Sequence, residues 1–89
     1  MTATGRKDPI DFPSDHVFKA VGDNRQEFIR SVHRAVSAIV PVSLDMMKSR
    51  ESAGGKYVSV SIVVRIANRQ QLESIYKSLQ QVDGVRYLL

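Results

Sequence analysis

The segment Gly54-Gly55-Lys56-Tyr57-Val58-Ser59-Val60-Ser61-Ile62-Val63-Val64-Arg65-Ile66 has the clearest hydrophobic period in the chain, and the fold prediction starts from it. Every second residue from 58 to 66 is valine or isoleucine, and most residues between them are polar. Successive side chains of an extended strand point to opposite faces, so the pattern predicts one buried face and one open face. The two glycines predict a tight turn with positive φ angles. We therefore expect a long central strand entered from a hairpin.

Composition indicates a small soluble domain. Its 89 residues predict a single domain with a compact core, since a chain of this size buries only about 60% of its surface on folding. Cysteine is absent, which excludes disulfides, thiolate metal sites and cysteine nucleophiles and makes the cytoplasm the expected location. No long apolar run indicates export or a membrane span. The net charge of +4 is spread along the chain, which favours solubility over a dedicated polyanion site.

Two segments show the three- and four-residue spacing of amphipathic helices. The first starts at Asn24, which with Glu27 matches a capping box, and ends before Pro41. The second starts at Asn68, with Gln71 as the return partner. Each helix carries one apolar stripe, and the stripes consist of Phe28, Ile29, Val32, Ala35, Val36, Ile39 and Val40, and of Leu72, Ile75, Tyr76 and Leu79.

The remaining segments complete a β-α-β-β-α-β order. Alternation predicts strands over residues 15–22, 42–50 and 85–89, whereas residues 1–14 contain breakers and predict a flexible arm. Each helix has a single apolar stripe, so both must cover the same face of the sheet. Right-handed crossovers then give an α+β, ferredoxin-like split βαβ sandwich, with a four-stranded antiparallel sheet in the order 4-1-3-2. The domain is predicted to span residues 15–89.

The hairpin before the central strand holds the best candidate binding residues. Arg50, Ser52, Gly55, Tyr57 and Ser59 gather a guanidinium, hydroxyls and a phenol beside a flexible turn, which is a chemistry suited to ligand contacts. A purely structural explanation is equally open. Ser52 can hydrogen-bond the turn backbone, and Tyr57 can cover the open sheet face.

Several segments resemble the YbeD-like family of small bacterial proteins of unknown function. The resemblance covers about residues 11–89, and the matching residues are Phe12, Pro13, Lys19, Gly22, Arg50, Ser52, Gly55, Tyr57, Ser59, Arg69, Gln71, Leu72, Tyr76, Val85, Arg86 and Leu89. It implies a ferredoxin-like fold similar to ACT regulatory domains. It also implies a non-enzymatic protein without a cofactor, and a regulatory connection with lipoate metabolism.

The same resemblance makes Lys19 and Gly22 further candidates, because ACT domains bind small metabolites near the loop after their first strand. A structural interpretation of Gly22 is open as well, since strand-to-helix turns use the φ freedom of glycine. The loop at 22–25 lacks the Pro-Gly pair of many ACT domains, which disfavours amino-acid binding. His16 and His33 lack the spaced carboxylates or cysteines of a metal site, so no metal is expected.

Three classes of function compete. A binding or regulatory module is favoured, with the uncovered sheet face or an edge contacting a protein partner, a second copy or a small metabolite. An RNA-binding module shares the topology, but such domains stack bases on aromatic side chains of the central strands. Here the central strand offers only Tyr57, so nucleic acid is not the expected partner. An acylphosphatase-type enzyme would need a phosphate-cradling loop and a strand asparagine that this sequence lacks.

Overall fold

The computed structural model of this protein describes residues 12–89, which form four strands and two α-helices in the predicted order. Strand β1 spans Ser14–Asp23 and helix α1 spans Gln26–Ser37. A short 3₁₀ turn at Leu44–Met46 leads into β2, Met47–Glu51. Strand β3 spans Tyr57–Ile66, α2 spans Arg69–Gln80, and β4 spans Val85–Leu88.

The four strands form one antiparallel sheet in the order β2-β3-β1-β4. β1 and β3 pair along their whole length, from Ser14 opposite Ile66 to Asp23 opposite Tyr57. β2 and β4 are the edge strands. The arrangement confirms the predicted α+β, ferredoxin-like split βαβ fold, because the same order read from the other edge is 4-1-3-2.

The core lies between one face of the sheet and the two helices. The predicted period of β3 is confirmed, since its residues at 58, 60, 62, 64 and 66 are at most 2% exposed. Helix α1 buries Phe28, Val32 and Val36 against them, and α2 buries Leu72, Ile75 and Leu79. All of these residues belong to one apolar cluster. Both helices therefore cover the same side, and no helix between residues 12 and 89 covers the other side, which we call the open face.

The two helix starts differ from each other. Asn68 caps α2 as predicted, since its side-chain oxygen accepts a hydrogen bond from the Gln71 amide at 2.9 Å. The predicted cap of α1 is wrong, because its N-cap residue is Arg25, which makes no side-chain capping bond. The Asn24 side chain instead donates to the Gly55 carbonyl at 2.8 Å. A contact distant in the sequence has replaced the local one.

The predicted strand over 42–50 is only partly correct. β2 begins at Met47, because the Met46 amide donates to the Ser43 carbonyl at 3.1 Å and closes the 3₁₀ turn. The Ser43 hydroxyl also donates to the Asp45 carboxylate, which holds the turn. Leu44 is consequently 66% exposed and does not line a strand face. Helix α1 likewise ends at Ser37, earlier than the proline signal predicted.

Most of the predicted N-terminal arm, residues 1–11, lies outside the described part of the chain. Within that part, Phe12 packs against the core and Ser14 already belongs to β1. None of the helices between residues 12 and 89 is long and apolar enough to cross a membrane.

Candidate binding site

The open face of the sheet carries the residues that alternate with the core positions. Strand register places Arg50 of β2 opposite Ser59 of β3, Ser59 opposite Val21 of β1, and Val21 opposite Tyr87 of β4. One row thus crosses all four strands. Lys19 lies on the next row, opposite Ser61. Side chains from distant parts of the sequence therefore meet on a single surface.

This surface forms a groove of about 570 Å³, which is within the size range of small-molecule sites. We call it the open-face groove, and its lining residues are Lys19, Val21, Arg50, Glu51, Ser52, Tyr57, Val58, Ser59, Arg86, Tyr87 and Leu89. Five of the seven candidate binding residues belong to it, namely Lys19, Arg50, Ser52, Tyr57 and Ser59. The structure therefore brings most of the candidates together.

Basic side chains give the groove a positive field. Lys19 and Arg50 are exposed, and neither has an ion-pair partner among residues 12–89. Arg86 is different because its Nε and Nη2 atoms lie 3.1 and 3.0 Å from Oδ1 of Asp23. Glu51 also lines the groove but makes no ion pair with either cation, so the two cations on neighbouring rows favour an anionic ligand.

Two tyrosine rings wall the groove. The Tyr57 ring lies 5.6 Å from the Lys56 ammonium and 5.8 Å from the Arg86 guanidinium carbon, within cation–π range. Tyr87, on the far side of β1, is 55% exposed, and no other ring of residues 12–89 packs against it. The prediction of a single aromatic residue considered only the central strand, and β4 supplies the second.

The hairpin residues fix the geometry of the turn at one end of the groove. The Ser52 amide donates to the Tyr57 carbonyl at 2.9 Å, and the Ser52 hydroxyl accepts from the Tyr57 amide at 3.1 Å. The structural role considered for Ser52 is thus confirmed. Gly55 has a φ of 72°, as predicted, whereas the φ of Gly54 is not positive. Asn24 reinforces the turn, because its backbone amide donates to the Lys56 carbonyl at 3.1 Å.

Gly22 and Gly55 lie outside the groove. Gly22 is in β1 on the helix side of the sheet, where a methyl group added at its Cα would come within 2.5 Å of the Phe28 ring. The φ of Gly22 is not positive, so the backbone freedom expected of this glycine is not needed there. The position requires glycine because any side chain would clash with the Phe28 ring. Gly55 belongs to the turn and contributes its carbonyl to Asn24.

Sequence reasoning missed the part of the groove that β4 contributes. The register of β1 and β4 shifts between Val21 and Gly22, which makes Arg86 the extra residue of a bulge. Arg86 and Tyr87 are adjacent in sequence, and both line the groove because the bulge interrupts the alternation. Leu89 follows, and its amide donates to the Lys19 carbonyl at 2.8 Å. The only sequence signal was the polar-aromatic composition of the last strand.

Each histidine side chain lies within hydrogen-bonding distance of another group of the fold. His16 lies 3.4 Å from the Tyr76 hydroxyl, and its ring packs on Phe18. The Nε2 atom of His33 lies 2.7 Å from the Val42 carbonyl. Within residues 12–89 there is no group of three or more His, Cys, Asp or Glu side chains that could hold a metal ion.

Sequence comparison places the chain among bacterial proteins. The family described as "Protein of unknown function (DUF493)" matches residues 7–89. A UPF0250 protein of Shewanella loihica is 35% identical over 80 residues, which cover 90% of this chain and 90% of the relative. A UPF0250 protein of Haemophilus influenzae is 31% identical over 83 residues, covering 93% and 89%. One from Ralstonia nicotianae is 29% identical over 85 residues, covering 94% and 88%.

Two solved structures share the fold at low sequence identity. The solution structure of protein HP0495 from H. pylori gives a TM-score of 0.71 at 16% identity, and the match covers 100% of this chain and 94% of that one. An uncharacterized protein, TM1266 from Thermotoga maritima, gives a TM-score of 0.60 at 14% identity, covering 84% and 92%. These similarities concern the fold alone.

Proposed function

Since the chain belongs to the bacterial DUF493 family of unknown function, the YbeD-like family it was expected to resemble, we propose its role from the open-face groove. The protein is a non-enzymatic binding module that takes a small anionic metabolite. The observation that carries this proposal is the pair of unpartnered cations, Lys19 and Arg50, on the wall of a groove of about 570 Å³.

The groove has the chemistry of a binding site. Lys19 supplies a flexible ammonium, and Arg50 supplies a planar fork that suits carboxylate or phosphate oxygens. The hydroxyl of Ser59 lies between them in the strand register and can donate to the same anion. Within residues 12–89, no serine of the lining is hydrogen-bonded to a histidine or carboxylate that could activate it, so we assign no nucleophile to the groove.

A regulatory role is supported by a series of contacts that leads from the groove to the loop before α1. Arg86 contacts the Tyr57 ring in the groove and bonds Asp23 at the end of β1. The other carboxylate oxygen of Asp23 lies 3.9 Å from Nη2 of Arg25, the N-cap residue of α1. A ligand that drew Arg86 away from Asp23 would therefore alter the strand-to-helix loop. We propose this loop as the output of the module.

The charges of the open face also affect which protein partner can dock on it. Docking of a second copy face to face would bring Lys19 and Arg50 of both copies into one interface, where like charges repel. Antiparallel pairing of two β2 edges about Ser49 would set Lys48 opposite Arg50, which is again unfavourable. A homodimer or a protein partner through this face or an edge stays a prediction, and an acidic partner fits it best.

Lipoate metabolism, which the resemblance implies, supplies one class of test ligand. Lipoate and octanoate carry a carboxylate for Lys19 or Arg50 and an apolar tail for Val21 and Leu89. We therefore include both in the ligand panel beside pyrophosphate and citrate, which carry several negative charges.

Isothermal titration calorimetry at low ionic strength tests the proposal. We expect at least one anion of the panel to bind, and the K19A/R50A variant to lose about tenfold or more in affinity, since a hydrogen bond to a charged group contributes about 1.5–3 kcal/mol. The matched control is R30A/K77A, which removes the same charge from exposed positions of the two helices. Equal losses in both variants, or no binding by the wild type, would refute the proposal.

A further inference from the structure

The two tyrosines of the open-face groove say more about the ligand than the cations alone. Tyr57 comes from the start of β3 and Tyr87 from β4, with β1 between them. No ring contact joins the two among residues 12–89, so the space between them is not filled by their own packing. Both rings line the groove, so either is a candidate for stacking with a planar ligand.

An aromatic ring exposed on a sheet face leaves apolar surface in contact with water, and a flat ligand can stack on that surface. Tyr87 is 55% exposed, while Tyr57 is half-buried beside the Arg86 guanidinium. Aromatic side chains on the open face of a four-stranded sheet form stacking platforms for nucleobases. Because every base has a π face, such a platform needs no base-specific hydrogen bond.

We infer that the anion bound in the groove is a nucleoside phosphate, with its base stacked on Tyr57 or Tyr87 and its phosphate held by Lys19 and Arg50. This inference rests on the proposed function and names the ligand class. Two unpartnered cations match the charge of a phosphate monoester better than that of a single carboxylate.

The remaining charges of the open face decide between a free nucleotide and a nucleic-acid strand. Arg65, farther along the open face, lies 3.4 Å from the Asp15 carboxylate, and Arg86 is held by Asp23. Only Lys48 adds an unpartnered cation to the open-face rows next to the groove in the described part of the chain. Between residues 12 and 89, this face has no continuous row of basic side chains that could contact the successive phosphates of a nucleic acid. The structure therefore favours one free nucleotide.

Tyrosine fluorescence reports changes at the two rings, and the part that requires the base is the difference between ligands with and without one. The chain has three tyrosines and no tryptophan, and Tyr76 lies away from the groove beside Phe18 and His16. In a Y76F background the emission therefore comes from Tyr57 and Tyr87 alone. AMP and ribose 5-phosphate differ only in the base, so comparing them isolates the contribution of stacking.

We expect AMP to quench this emission and to bind about 5- to 150-fold more tightly than ribose 5-phosphate, the range that stacking of one base contributes. Replacing both Tyr57 and Tyr87 by leucine should remove this advantage, and the single variant that removes the stacking ring should do the same. Upfield shifts of the adenine H2 and H8 NMR signals would confirm the stacking.

Four results would overturn the inference. Equal affinity for AMP and ribose 5-phosphate would refute the base site while leaving anion binding intact, and absence of binding for both and for pyrophosphate would refute the proposed function as well. Octanoate binding more tightly than AMP would assign the rings to an aliphatic chain. Binding of a single-stranded RNA oligomer without binding of AMP would show that the ligand is a nucleic acid.

Discussion

Replacing Gly22 by alanine tests the packing between β1 and α1, on which the position of the groove depends. The new methyl group would lie 2.5 Å from Cε1 and Cζ of the Phe28 ring and 2.6 Å from the Gly84 carbonyl oxygen. Ordinary contacts begin at 3.4 Å, so the ring must move by nearly an ångström. The carbonyl belongs to the backbone of the loop before β4, which cannot swing aside as a side chain can.

Overpacking of a close-packed core costs typically 1–3 kcal/mol, and two simultaneous clashes put G22A near the upper end, at about 3 kcal/mol. For a domain of this size that corresponds to a fall in Tm of about 12–24 °C. Urea unfolding followed by circular dichroism measures the free energy of unfolding, and thermal melts give the shift in Tm.

The chain offers a matched control. A methyl group added at Gly54 would have no heavy atom within 4 Å, and that residue has no positive φ, so G54A should stay within about 0.5 kcal/mol of the wild type. F28L in the G22A background should restore part of the loss, because only the ring clash is relieved and the carbonyl clash remains. Unfolding of G22A at the same urea concentration as G54A would refute the packing argument.

Other predictions concern caps, charge and pH. N68A should lose about 1 kcal/mol of stability in urea unfolding because it removes the cap of α2, and N68D, which keeps an acceptor, should lose less. D23N should raise the affinity for pyrophosphate about two- to fivefold by releasing Arg86, and an unchanged or lower affinity would contradict this. The Ser43 hydroxyl bond, followed by a bond from its own backbone amide, holds the pKa of Asp45 below its ordinary value of 3.8. This lowered pKa stabilises the fold above pH 3.8, and the effect is lost as the pH falls through the folded-state pKa. S43A should therefore raise the Asp45 pKa, and a carboxyl NMR titration that shows no rise would rule out this origin.

The fold could be predicted from the sequence because its strongest patterns are local. The alternation of β3 and the apolar stripes of both helices each specify one buried face, and few topologies satisfy all of them. The predictions were wrong where a contact distant in the sequence, or a turn that the sequence did not indicate, determines the local structure. The Asn24 side chain bonds the Gly55 carbonyl instead of capping α1. The 3₁₀ turn before Met47 makes the second strand shorter than predicted.

The groove could be predicted only in part, for a related reason. Arg50, Tyr57 and Ser59 are close in the sequence, so their clustering beside the hairpin was visible. Arg86 and Tyr87 reach the same groove only through the pairing of β4 with β1 and the bulge that turns both toward the open face. The predicted order 4-1-3-2 already paired β4 with β1, but the bulge has no signature in the sequence that we could recognise.

The central claim is that small anions bind at one end of the open sheet face, between Lys19 and Arg50. An amide NMR titration of the ¹⁵N-labelled protein with pyrophosphate at low salt tests it most directly, since every strand and helix reports separately. We expect saturable shifts at residues 19–25, 50–52, 57–59 and 86–89, and none along the rest of α1 or along α2. Shifts that follow the helices instead, or spectra that do not change up to millimolar pyrophosphate, would contradict it.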